Sequence, residues 1–169
     1  MRTRLVSAVI IGSAIGLWHL SVGAQHDALA QTESHAANGP RSVWDGVYTE
    51  EQAKRGQPLY QQKCASCHGD KMTGGESAPP LTGGQFLSNW NGLTLDVLFE
   101  RIRLTMPSDN PARVPKPAKA DILAYLLSMN TFPPGKTELQ YKPELLKQIL
   151  IETDDQHAHS SKDCCQQSK

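Results

Sequence analysis

One run of five residues constrains this chain more than any other: Cys64-Ala65-Ser66-Cys67-His68. Two thiols three positions apart share one turn of helix, and an imidazole follows the second directly. Each thiol can add to a vinyl group of one flat macrocycle, and the imidazole can then bind the metal at its centre. That is the attachment pattern of a covalently held haem. C-x-x-C is also used in thioredoxin-like dithiol sites and as half of a zinc site. A dithiol site should come with a strand–helix–strand pattern, and the sequence shows no convincing strand. A zinc site needs a second ligand pair, for which only His157, His159, Cys164 and Cys165 are available, far along a polar tail.

The remaining context favours a bound pigment. The 169 residues suggest one domain plus extensions, with 17 basic and 17 acidic side chains. No strongly basic face for nucleic acid follows from such a balance, and no strong electrostatic clue to a partner. Three Phe, three Trp and four Tyr make a small core. A small domain stabilises itself poorly, and a buried haem would supply the missing apolar surface.

Residues 1–30 read as a secretory signal peptide. Arg2 and Arg4 precede a mostly apolar stretch from Leu5 to Val22, and small-x-small endings allow cleavage after Ala24 or Ala30. The alternative is an uncleaved membrane anchor, which Gly, Ser and His19 weaken as a span. Export suits the motif, because haem is joined to such thiols outside the bacterial cytoplasm. Residues 31–43 read as a linker, with the haem domain over 44–132. Residues 133–152 read as an extension, and 153–169 as a polar, structureless tail. In that tail, His157 and His159 could bind a metal, and the adjacent Cys164 and Cys165 suit an intermolecular bridge better than a strained ring.

Helical periodicity organises the domain, whose expected class is all-α. Thr49-Glu50-Glu51-Gln52 fits a capping box opening a helix, with Ala53, Gly56 and Tyr60 on one face and Pro58 bending or shortening it. Trp44 and Tyr48 are expected to pack on that helix. From Gly69 to Asn91 the glycines and prolines read as a loop wrapped on the haem edge. Leu95, Leu98, Phe99 and Ile102 mark a second helix. Pro111, Pro115 and Pro117 then hold the chain extended. A third helix is predicted from about Ala118 to Met129, with Ile122, Tyr125, Leu126 and Met129 on its buried face. A short one is predicted at Pro143 to Ile151.

The iron's second axial ligand is sought among the methionines. Met1 leaves with the leader, Met72 is four residues from His68 and too close to cross the ring, and Met129 belongs to a buried stripe. Met106 stands before Pro107 between two helices, with enough chain behind it to travel round the haem. A thioether favours ferrous iron, so a His/Met pair raises the potential.

Over about Thr49 to Asn130 the chain resembles the class I cytochrome c family. The resemblance rests on Gly56 and Tyr60 before the motif, Cys64-x-x-Cys67-His68, Pro79-Pro80-Leu81, Met106-Pro107, and Ile122, Tyr125 and Leu126 near the end. It implies a cytochrome c fold of three to four helices around one covalent haem c. Gly56 and Tyr60 would cross the last helix at Ile122 and Tyr125. Cys64 and Cys67 would carry the thioethers, with His68 and Met106 as axial ligands. The Pro79 carbonyl would accept a hydrogen bond from His68, and the Trp90 indole could donate to a propionate. Arg101 and Arg103 could do the same but read better as a solvated face.

The implied function is a periplasmic monohaem electron carrier, not itself an enzyme. It would work between a dehydrogenase or other donor and an oxidase, another cytochrome or other acceptor. A variant of this reading makes it a dehydrogenase subunit that docks through the Pro143–Ile151 segment. The alternative class is a haem enzyme or gas-binding sensor with a labile sixth iron position.

Overall fold

A computed structural model describes residues 40–76 and 78–159. The expected leader, nearly all of the linker and the Cys164-Cys165 pair lie outside the described residues. In chain order the elements are strand β1 (Arg41–Ser42) and helices α1 (Glu50–Lys63), α2 (Ala65–His68), α3 (Gly83–Trp90), α4 (Leu95–Thr105), α5 (Lys116–Met129) and α6 (Pro143–Leu146). Strand β2 (Ile149–Leu150) follows, and two short 3-10 turns lie at Val43–Asp45 and Pro111–Arg113. The architecture is all-α around an α1–α5 pair. Among the described residues, no helix is long and apolar enough to cross a membrane.

Helix α1 starts where its cap predicts. Thr49 Oγ1 accepts from the Gln52 amide at 3.1 Å, satisfying one of the donors a helix start leaves over. The capping box is not completed. Gln52 turns inward instead, and its amide pairs with both backbone groups of Leu139, at 2.9 and 2.7 Å. Pro58 neither breaks nor shortens α1, which runs through it to Lys63. Its ring lies on the exposed side, where water can bond the carbonyl that loses its partner.

The crossing with α5 is close. A Cβ placed on Gly56 would stand 1.9 Å from the Asp121 carbonyl oxygen and 2.9 Å from Tyr125 Cβ. Only glycine permits that approach. The Tyr60 and Tyr125 rings meet beside it, centroids 5.7 Å apart.

Several expectations are corrected. The stretch from Gly69 to Asn91 is not all loop: α3 begins on Gly83-Gly84, a pair that reads as a turn, and is stabilised by burial of Phe86. Helix α5 begins at Lys116, so Pro117 lies in its first turn, where proline's missing N–H costs nothing. Every residue from Ile122 to Leu127 is buried. This helix is enclosed rather than striped. Met129 lies beyond that enclosed part and is 36 % exposed, not core.

The C-terminal helix stops at Leu146. Its expected continuation is β2, which pairs in parallel with β1, Arg41 opposite Ile149 and Ser42 opposite Leu150. Branched Ile149 and Ile151 suit extended backbone. Leu146, Ile149 and Ile151 are buried within this domain, so most of the apolar surface expected to dock a partner is spent internally. Trp44 and Tyr48 serve the same closure, not α1 alone. The Trp44 ring stands edge-on to Phe132 at 5.0 Å, and its N–H donates to the Glu152 carbonyl at 2.9 Å. The Tyr48 hydroxyl donates to the Phe132 carbonyl at 2.6 Å. His157 stacks on Trp44 with centroids 6.5 Å apart and lies 3.2 Å from Glu152, so the start of the tail packs back on the domain.

Candidate haem-binding site

The site grows from the end of α1. At Cys64 the backbone leaves helical geometry (φ −129°) and re-enters it as α2. Amides of Cys67 and His68 both donate to the Cys64 carbonyl, at 3.2 and 3.0 Å. This turn places two thiols and an imidazole within five residues. Cys64 is half-buried and Cys67 exposed, and both are free thiols.

His68 is 7 % exposed. Its Nδ1 lies 2.9 Å from the Pro79 carbonyl oxygen. A carbonyl only accepts, so Nδ1 carries the proton and Nε2 is left as the basic nitrogen. Such a bond fixes the ring and strengthens it as a ligand. The loop that delivers Pro79 is braced from three sides. The Tyr60 hydroxyl donates to Gly69 O at 2.7 Å. The Gly74 amide donates to His68 O at 2.9 Å, and the Leu81 amide to Met72 O at 2.8 Å. Asn130, at the end of α5, donates to Leu81 O at 2.9 Å and accepts from the Gly83 amide at 3.1 Å. Gly74 sits at φ +76° and so close to Pro80 that a Cβ would stand 2.6 Å from its nitrogen.

The described methionines divide clearly. Met72 is fully buried inside the loop and Met129 lies at the outer end of α5. Met106 is the C-cap of α4, in extended backbone (φ −126°, ψ 138°) and half-buried. Met106 is thus the described methionine that lies between helices without being fully buried. Trp90 is half-buried, its ring tilted against Phe86 at 6.5 Å, and among the described residues its indole N–H has no hydrogen-bond partner. Arg103 forks onto Glu100 at 2.7 and 2.6 Å, and Arg101 is exposed. The solvated-face reading suits both.

Electrostatics separate the uses of the motif. Burial, and then the neighbouring Cys67, push the Cys64 thiol up to about 11. A dithiol redox site needs the opposite, a thiolate held low. Among the described residues no three His, Cys, Asp or Glu side chains group as a metal site. Two unpaired thiols and an imidazole whose other nitrogen is already committed fit a covalent haem.

Asn130 and Lys119 are site-forming residues that sequence reasoning missed. Asn after the last apolar position signals a helix end, but its reach to Leu81 and Gly83 has no sequence signature. Lys119 is 2 % exposed, and its Nζ donates to the carbonyls of Arg103 at 3.0 Å and Pro111 at 2.9 Å. Nothing in the sequence marks it apart from a surface lysine.

Comparison with family models matches residues 51–126 to cytochrome c oxidase, cbb3-type, subunit III. The match spans nearly all of α1 to most of α5 and includes Cys64, Cys67, His68, Pro79, Trp90, Met106 and Lys119, but not Asn130. Comparison with curated proteins and with solved structures gives no match.

Proposed function

We infer the function from one premise: residues 51–126 belong to the class I cytochrome c family, whose domains carry a covalently bound haem c and pass electrons. The finer reading is a monohaem carrier of the bacterial periplasm. It takes single electrons from a dehydrogenase or similar donor and gives them to an oxidase or another cytochrome. The haem supplies the one-electron couple. Cys64 and Cys67 hold it by thioethers. His68, through Nε2, and Met106, through its sulfur, would ligate the iron. With both residues so engaged, the protein's part would be to hold the ligands, exclude water and set the potential. The Trp90 indole, unpartnered among the described residues, serves a propionate.

The observation that carries this reading is the 2.9 Å bond from His68 Nδ1 to the Pro79 carbonyl. It commits one ring nitrogen and leaves the other as a ligand, within five residues of two free thiols. The test is the optical spectrum of the matured protein, followed by carbon monoxide added to the reduced form. A ferric sulfur-to-iron charge-transfer band and no response to carbon monoxide are expected. Prompt carbon monoxide binding without the band would overturn Met106 ligation and favour an enzyme or gas sensor.

A further inference from the structure

Lys119 is the most deeply buried charged side chain among the described residues, and no carboxylate pairs with it there. Burying an ammonium without a counter-ion is costly, and a leucine would fill the space without that cost. What the ammonium does instead is specific. It bonds the carbonyl of Arg103, in the last turn of α4, and the carbonyl of Pro111, which opens the following 3-10 turn. A helix leaves its last carbonyls without intrahelical partners, and Nζ takes one of them. The two acceptors bracket Met106. One cation on α5 therefore ties together both ends of the loop that carries the sulfur. The loop's other charged contact, Arg113 to Asp109 at 2.7 Å, is solvent-exposed and holds little.

We propose that Lys119, through its two bonds to the Arg103 and Pro111 carbonyls, is a positioning residue that fixes the Met106 loop and so determines how firmly the sulfur is held at the iron. The inference rests on Met106 ligation.

The test compares the wild-type holoprotein with Lys119→Leu and Lys119→Arg. Leucine removes charge and donors without introducing a second thioether, and arginine keeps both. In Lys119→Leu the ferric sulfur-to-iron band is expected to be lost or greatly weakened, and the reduced protein to bind carbon monoxide. Amide exchange over residues 104–112 is expected to quicken about tenfold or more. Lys119→Arg is expected to restore the band. A Lys119→Leu protein that keeps the band and stays inert to carbon monoxide overturns the clamp while leaving ligation intact. A wild-type protein without the band overturns ligation itself, and the clamp with it. Should Lys119→Leu fail to accumulate, nitrogen-15 lysine labelling of the reduced wild-type protein decides. One protected ammonium signal coupled to the Arg103 and Pro111 carbonyls is expected, and its absence overturns the clamp.

Discussion

Gly56 and Asp121 meet backbone to backbone: a methyl group on Gly56 would overlap the Asp121 carbonyl oxygen at 1.9 Å. A flexible side chain could yield to such an intrusion, but a carbonyl inside α5 cannot without moving the helix. Gly56→Ala should therefore destabilise the protein by about 3 kcal/mol, at the upper end of overpacking costs. Ala at an ordinary helix position would stabilise slightly, so the sign of the change in urea-induced unfolding tests the contact.

Gln52 is buried with both ends of its amide used on Leu139. Gln52→Ala strands an N–H and a carbonyl in the interior. At about 1–3 kcal/mol for each unsatisfied group, a loss of about 2–6 kcal/mol is expected. It should be accompanied by faster amide exchange around Leu139. An unchanged unfolding midpoint would mean that water replaces the amide.

Residues after Phe132 are part of the folded unit. Ending the chain there would uncover the sites filled by Leu139, Leu146, Ile149 and Ile151. At about 1.5–3 kcal/mol per buried aliphatic side chain, the loss rivals the whole net stability of a domain. The shortened chain should show no cooperative thermal transition without haem and a much reduced yield of holoprotein. A sharp transition like that of the full chain would show the extension to be dispensable.

High pH should unfold the protein through its buried phenols. The Tyr48 hydroxyl is held above its ordinary range by burial and then by Glu50. Tyr60 is raised further, by burial first and then by Cys64, Tyr125 and Asp70. Burial, the larger cause, survives conversion of Cys64 to a thioether. Above about pH 10 an unfolded tyrosine loses its proton while the folded one keeps it, so stability is complete below that pH and falls as pH rises. Tyr48→Phe and Tyr60→Phe should each flatten this alkaline decline, measured as unfolding free energy between about pH 9 and 11.

Much of the site was legible because its residues carry local signatures. Cys64, Cys67 and His68 announce themselves by spacing, and Gly56 by standing on an apolar helix face where glycine has a cost. Thr49 announces a helix start. What was not legible depended on distant partners. Gln52 looks like half of a capping box until Leu139 is beside it. Gly83-Gly84 looks like a turn because the reason for α3, a pocket for Phe86, is made by other elements. Ile149 and Leu150 fit a helix pattern until Arg41 and Ser42 offer an edge. Met129 matched the period of α5, but the enclosed part of that helix ends before it. Lys119 is the extreme case, since two backbone carbonyls give it its place and carbonyls have no letter in a sequence.

The parallel pairing of Arg41–Ser42 with Ile149–Leu150 also sets an order in time. A ribosome delivers residue 41 long before residue 149, and loop closure over such a length is a late step. Cys64, Cys67 and His68 are made while Gln52 still lacks Leu139 and Trp44 still lacks Glu152. The nascent chain therefore passes through a stage in which its thiols are present and its enclosure is unfinished. That interval ends only when Leu139, Ile149 and Glu152 reach their partners in the N-terminal part of the domain.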